Sequence, residues 1–229
     1  MTRSVPADPY RFPLGGRLEP GNTALAVIDM QVDFCAPGGY IARMGCDLTS
    51  IRAPLAPIGR VLEAMRGAGF TVVHTRETFA PDLSDVQPHR TWRGAGGDLI
   101  VVGDRGPLGR CLVRGEPCWE IVPEVAPLAG EAIFDKNAYG AFGSTGIDAY
   151  LRERGVENLV LAGITTNCCI QSNLREALDR GYDCLVLEDC CGAVTRESHE
   201  RSMAMIRNPD GVFGAVSTSP ALIAAIAGA

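Results

Sequence analysis

Three residues of different chemical type each close an apolar run or follow it closely. They are Asp29 in VIDMQVDF, Lys136 in IFDKNAYG, and a cysteine in GITTNCCI (163–170). A carboxylate can take up and return a proton. A thiol attacks a carbonyl carbon as the thiolate, so its pKa must fall toward neutrality to be useful. A lysine ammonium and the positive end of a helix both favour that thiolate. Backbone N–H groups at the same helix start can hold a developing oxyanion. Asp, Lys and Cys therefore form a coherent set for cleaving an amide without histidine. The residue types alone leave open whether Cys168 or Cys169 is the nucleophile, and vicinal cysteines also suit a redox pair, half of a metal site or small core filling.

The elements that must position these groups follow from the hydrophobic pattern. Apolar runs at 23–30, 70–77, 132–136, 158–164, 183–189 and 211–217 predict six strands. Helical spacing covers 51–67, 144–155, 168–180 and 196–207, and Ser219-Pro220 opens a last helix with an N-cap and a proline at its first position. The strand runs are continuous rather than alternating, which means strands covered on both faces. Strand and helix alternating to the end means parallel pairing with right-handed crossovers. The expected fold class is α/β, a three-layer αβα sandwich around a mostly parallel six-stranded sheet. One domain is expected over 1–229, with an N-terminal arm (1–20) and a long loop excursion (78–130) rich in Gly, Pro and charge. In such sheets ligands bind outside the carboxyl ends of the strands, where Asp29, Lys136 and the cysteine pair stand.

Composition removes several other classes. The chain has 229 residues and a net charge of −6, and Lys136 is its only lysine, so neither nucleic acid nor an anionic membrane surface is an expected partner. Nine cysteines, an odd number without small-scaffold spacing, read as reduced thiols in a cytoplasmic protein. The N-terminus shows no secretory h-region, and no apolar stretch reaches membrane-spanning length. His74, His89 and His199 lack metal-ligand spacing, and His74, in a strand pattern, is expected to be buried and hydrogen-bonded. GAFGSTG (140–146) lacks the paired glycines of a dinucleotide loop and is expected to cap and pack, as is Cys190-Cys191. No metal and no cofactor is expected, and the partner is a small molecule. Phe34, Tyr139 and Trp92 are aromatics suited to a pocket wall, with core packing as the default.

ALAVIDMQVDF, IFDKNAYGAF and LVLAGITTNCCIQSNLREALDRGYDCLVLEDCCGA together resemble the isochorismatase-like cysteine hydrolases, over about residues 8–227. The resemblance implies a Rossmann-like αβα fold, a homo-oligomer (dimer or tetramer), and amide hydrolysis with release of ammonia through a thioester-like intermediate. It places the family's catalytic residues on Asp29, Lys136 and Cys169, with Cys168 as a neighbour shaping the turn. It further implies a cis peptide at Ile164–Thr165 and an oxyanion hole made by the N–H groups of Thr165 and Cys169. The Asp-x-His of the nicotinamidase metal site has no match. Phe34, Tyr139 and Thr166 are expected at the substrate.

DPYRFP, HTRETFAPDLSD and LVRGEPCWEIVPE resemble more narrowly the biuret hydrolases and their triuret-cleaving relatives. The implied substrate is triuret or biuret, and the implied excursion is part pocket wall and part subunit contact. Pro209 stands where a biuret hydrolase is expected to carry Gln, which implies a different grip on a diamide. Ureidoacrylate, N-carbamoylsarcosine and nicotinamide are alternatives for the same chemistry. A carboxylate-bearing substrate would call on Arg76, Arg90 or Arg93. A non-catalytic α/β binding protein is the alternative from another class.

Overall fold

The computed structural model of the chain describes residues 3–92 and 99–228. Its main sheet has six parallel strands: β1 (Thr23–Ile28), β2 (Thr71–Glu77), β3 (Ala132–Lys136), β4 (Asn158–Ile164), β5 (Asp183–Gly192) and β6 (Ala215–Ser217). Their spatial order is β3-β2-β1-β4-β5-β6. The direction of winding reverses between β1 and β4, so a crevice opens above the carboxyl ends of these two central strands. Both are buried at every residue, as their unbroken apolar sequences require.

Alternate residues of each strand face opposite layers. Leu25 and Val27 of β1 join a core with Ile58, Val61, Leu62 and Met65 of α1 (Leu55–Gly67) and Leu222 and Ile226 of α5 (Ser219–Ala227). Ala24, Ala26 and Ile28 face α2 (Ile147–Glu153), α3 (Gln171–Asp179) and α4 (Arg196–Ile206) instead. The α1 residues recur at i, i+3, i+4 and i+7, one stripe of a helix. Thr195 starts α4 as its cap, accepting from the Ser198 N–H at 3.1 Å. Among the described residues, no helix is long and apolar enough to cross a membrane.

Several boundaries differ from the sequence expectation, each for a local reason. The helix expected over 51–67 is interrupted, with a short turn Thr49–Arg52 before α1, because Pro54 has no N–H to continue the ladder. The last strand is shorter than 211–217, since Gly211 and Gly214 turn the chain at φ +67° and +85°. β5 runs on to Gly192 and takes Cys190 and Cys191 into the sheet as buried packing residues.

The arm and the excursion are both structured cover. Val5, Phe12 and Leu18 are buried, and Asp8 pairs antiparallel with Val216, which closes the edge of β6. The excursion carries short helical turns (Pro88–Trp92, Pro117–Trp119, Pro123–Val125) and a tiny hairpin, Arg105–Gly106 with Gly109–Arg110. Phe79, Leu112, Val122 and Val125 anchor it in the main core.

Candidate active site

The crevice is set by one glycine. Gly163, near the end of β4, pairs with Ile28 of β1, and a Cβ at this position would lie 2.1 Å from the Ile28 carbonyl oxygen. With φ at +123°, only glycine permits this approach. β4 therefore ends beside Asp29, which itself leaves β1 at φ +52°. Beyond Gly163 comes a cis peptide at Ile164–Thr165 and then a single π-helical turn, Thr166–Ile170. In that turn the Thr165 carbonyl accepts from both the Cys168 and Ile170 N–H groups at 3.1 Å. The expected helix from 168 thus begins as a wider turn with Cys169 inside it, and regular α3 follows. Such wide turns are frequent at functional sites.

The three residues singled out by type converge. Lys136 Nζ lies 2.7 Å from Asp29 Oδ2 and 3.7 Å from Cys169 Sγ. Asp29 Oδ1 accepts from the Thr75 hydroxyl at 2.6 Å, and Lys136 also donates to the Ala138 carbonyl at 2.9 Å. Asp29 and Lys136 are wholly buried, and Cys169 nearly so. Of the two cysteines it is Cys169 whose sulfur meets the lysine.

A fourth residue joins them that the strand-end rule would also have selected. Glu77 closes β2, and its Oε2 lies 3.8 Å from Lys136 Nζ and accepts from the Cys169 thiol at 3.5 Å. Arg90 forms a buried ion pair with its other oxygen and stacks 4.1 Å over the Tyr139 ring. Gln31, buried, clamps the Glu77 backbone, accepting from its N–H at 2.7 Å and donating to its carbonyl at 3.0 Å. Two carboxylates and two cations thus surround one thiol. Donor atoms of Asp29, Glu77 and Cys169 lie within 4.8 Å of one another, close enough for a metal ion. The Lys136 ammonium sits within 4 Å of all three and is itself the positive charge of that cluster.

Electrostatics follow from burial and these neighbours. Burial pushes the Asp29 carboxyl above its ordinary range; Lys136 pulls it back and Glu77 adds to the rise. Burial disfavours the Lys136 charge, but Asp29, Cys169 and Glu77 outweigh it and hold the ammonium charged. The hydrogen bond shared with Cys168 and then burial push the Cys169 thiol well up, against the pull of Lys136. The same hydrogen bond pushes Cys168 down. These neighbours favour the thiol form of Cys169; the carboxylate that accepts from it is Glu77, and the Asp29 carboxylate lies in the same cluster, within 4.8 Å.

Cys169 opens onto a cavity of about 320 Å³. Phe34 and Tyr139 line it, with Thr165, Cys168, Glu77 and Arg90. Thr166, expected at the substrate, lies outside this lining. Its hydroxyl is buried and bonded to His199 Nδ1 at 2.9 Å, a residue of α4 that no local pattern connects to it. Arg76 is engaged elsewhere, with Asp135 and Glu120 and 3.5 Å over the Trp119 ring. Arg93 and the side chain of Trp92 lie outside the described residues. Pro209 is exposed in the turn before β6 and does not line the cavity. His74 is buried and bonded to Glu131 at 3.0 Å. The GAFGSTG loop directs the Phe142 and Gly143 N–H groups to the Glu176 carboxylate, a packing role.

A parallel αβα sheet carrying a buried Asp–Lys–Cys cluster at the carboxyl ends of its strands defines a cysteine-hydrolase type of site. The Isochorismatase domain model matches residues 23–221, and the chain belongs to that family. It is 32% identical over 204 residues to the ureidoacrylate amidohydrolase RutB of Agrobacterium fabrum, covering 88% of each chain. Among solved structures it is similar to a cysteine hydrolase from Pseudomonas syringae pv. phaseolicola, with TM-score 0.78, 26% identity, and coverage of 97% of this chain and 98% of that one. It also shares the fold of N-carbamoylsarcosine amidase from Thermoplasma acidophilum, with TM-score 0.65, 24% identity, and coverage of 86% and 96%. The chain is accordingly a member of the isochorismatase family whose site has the make-up of a cysteine hydrolase.

Proposed function

We propose that the chain cleaves the terminal C–N bond of a compound bearing a carbamoyl head, releasing ammonia, with Cys169 as nucleophile. The observation that carries this reading is the position of Cys169 Sγ at the cavity, beside Lys136 Nζ and within reach of two buried carboxylates. Asp29 accepts the thiol proton as sulfur attacks the carbonyl carbon, and its raised pKa brings it nearer the working pH of a general base. Lys136 stabilises both the carboxylate and the emerging thiolate. The N–H groups of Thr165 and Cys169 hold the oxyanion. Asp29 returns the proton to the departing amine, and water activated by Asp29 then hydrolyses the acyl-cysteine.

A ureide is supported by the name of the relatives that share a third of the residues, ureidoacrylate amidohydrolases. Arg90 lines the cavity, and a carboxylate on such a substrate would share it with Glu77. Triuret or biuret is the second reading, supported by the DPYRFP and HTRETFAPDLSD stretches. Ammonia release from ureidoacrylate, N-carbamoylsarcosine, biuret, triuret and nicotinamide decides between them. Mass spectrometry of the acyl-enzyme identifies the cysteine: an adduct on any peptide lacking Cys169, or full activity in Cys169→Ala, defeats the proposal. A cytoplasmic homo-oligomer belongs to the same reading, and light scattering of the purified protein tests its assembly.

A further inference from the structure

The lining of the cavity is divided by chemistry. Its charged and thiol groups gather about Cys169, in Glu77, Arg90 and Cys168. The segments laid over the sheet edge contribute, beside Tyr40, apolar side chains that include Phe34, Ile41, Met44, Val102, Leu112 and, from the loop after β5, Val194. None of these six side chains has an N–H or O–H to offer. The Phe34 ring is braced edge-on by Tyr40, with centroids 6.3 Å apart.

One part of this wall is built against the grain of the backbone. Leu112 has φ +57°, a left-handed conformation that side chains with a Cβ rarely adopt. Its N–H is held at 2.6 Å by Asp33 Oδ2, a carboxylate that is itself 1% exposed. A buried charge and an unfavourable backbone are thus both retained where an apolar side chain meets the cavity, and such outliers gather at ligand-holding positions.

The volume points the same way. A cavity of about 320 Å³ falls in the range of small-molecule sites, about 300–1,000 Å³. A carbamoyl head has only three heavy atoms. A substrate polar along its whole length would set N–H and C=O groups against the apolar wall and lose the water bonded to them.

We propose that the substrate carries, beyond its carbamoyl or carboxamide head, an apolar group of several carbons that packs on this wall. The preferred class is then an N-alkyl or N-aryl urea, or the matching carboxamide, ahead of biuret and triuret. This rests on the amidohydrolase reading above and replaces its polar substrate candidates, ureidoacrylate as well as biuret and triuret, with an apolar one.

Two measurements on one ligand series separate the two ideas. N-alkylureas from ethyl to hexyl are titrated calorimetrically into the Cys169→Ser protein, and wild-type ammonia release is followed on the same compounds. Affinity and kcat/KM are expected to rise about fourfold per methylene up to butyl, with biuret and triuret below the butyl compound. Met44→Gln, at a partly exposed site, and Leu112→Asn, a residue that tolerates left-handed backbone, should each flatten the series to less than about twofold per methylene. A flat wild-type series, or biuret turned over faster than butylurea, overturns the apolar-substrate proposal. Length-dependent binding with no ammonia from any amide leaves the apolar site standing and overturns the amidohydrolase reading instead.

Discussion

Lys136 Nζ lies 2.7 Å from Asp29 Oδ2, and neither side chain has measurable exposure. Lys136→Met would leave Asp29 and Glu77 as buried carboxylates without this shared cation. Stripping one partner from a buried pair typically costs about 3–5 kcal/mol. Urea denaturation should show a loss of that order, and the double variant with Asp29→Asn should recover part of it.

Glu77 and Lys136 act on the Cys169 thiol with opposite sign, since the carboxylate raises its pKa and the ammonium lowers it. Glu77→Gln should therefore move the pH profile of iodoacetamide alkylation at Cys169 to lower pH. Folded Lys136→Met should move it to higher pH. Running the profile in a Cys168→Ser background separates it from that of Cys168.

Replacing the attacking sulfur itself is more severe. Cys169→Ser should lower ammonia release by about 10⁴-fold or more, the scale seen when a nucleophile is removed. Cys168→Ser should keep much of the activity, because Cys168 is only half-buried and touches the lysine less directly than its neighbour. Equal losses in the two variants would contradict the assignment of Cys169.

The pH dependence of stability has a component at His74. Burial lowers its folded pKa below the ordinary 6.5, with Glu131 opposing. Its stabilising contribution is present above about pH 6.5 and is lost as pH falls toward the depressed folded value. Denaturation midpoints between pH 7 and pH 5 should fall less steeply in His74→Gln than in the wild type.

How much of this was legible in the sequence depends on how local each cause is. The strands and the convergence of Asp29, Lys136 and one of the two adjacent cysteines follow from apolar runs and from the rule that strand ends make the site, while the choice of Cys169 rests on the family resemblance. Glu77 obeys the same rule and could have been found with it, as the last residue of FTVVHTRE. Arg90 was a candidate that the sequence could name but not place, and Leu112 gave no signal, because both lie in an excursion without periodicity and are tied to the site through long-range contacts with Glu77 and Asp33. Thr166, expected at the substrate, has a partner that is no more local. Its hydroxyl is claimed by His199, 33 residues along the chain.

The charges around Cys169 cancel in pairs: Asp29 with Lys136, Glu77 with Arg90. The pairs carry no net charge and a neutral ureide carries none, so salt has no long-range attraction between them to screen. The kcat/KM of such a ureide should stay level from low to high ionic strength. A carboxylate-bearing substrate would instead be repelled at a distance by the chain's net charge of −6, and added salt should speed its capture. A salt titration on each kind of substrate thus reports whether this enzyme meets its substrate as a stranger to charge.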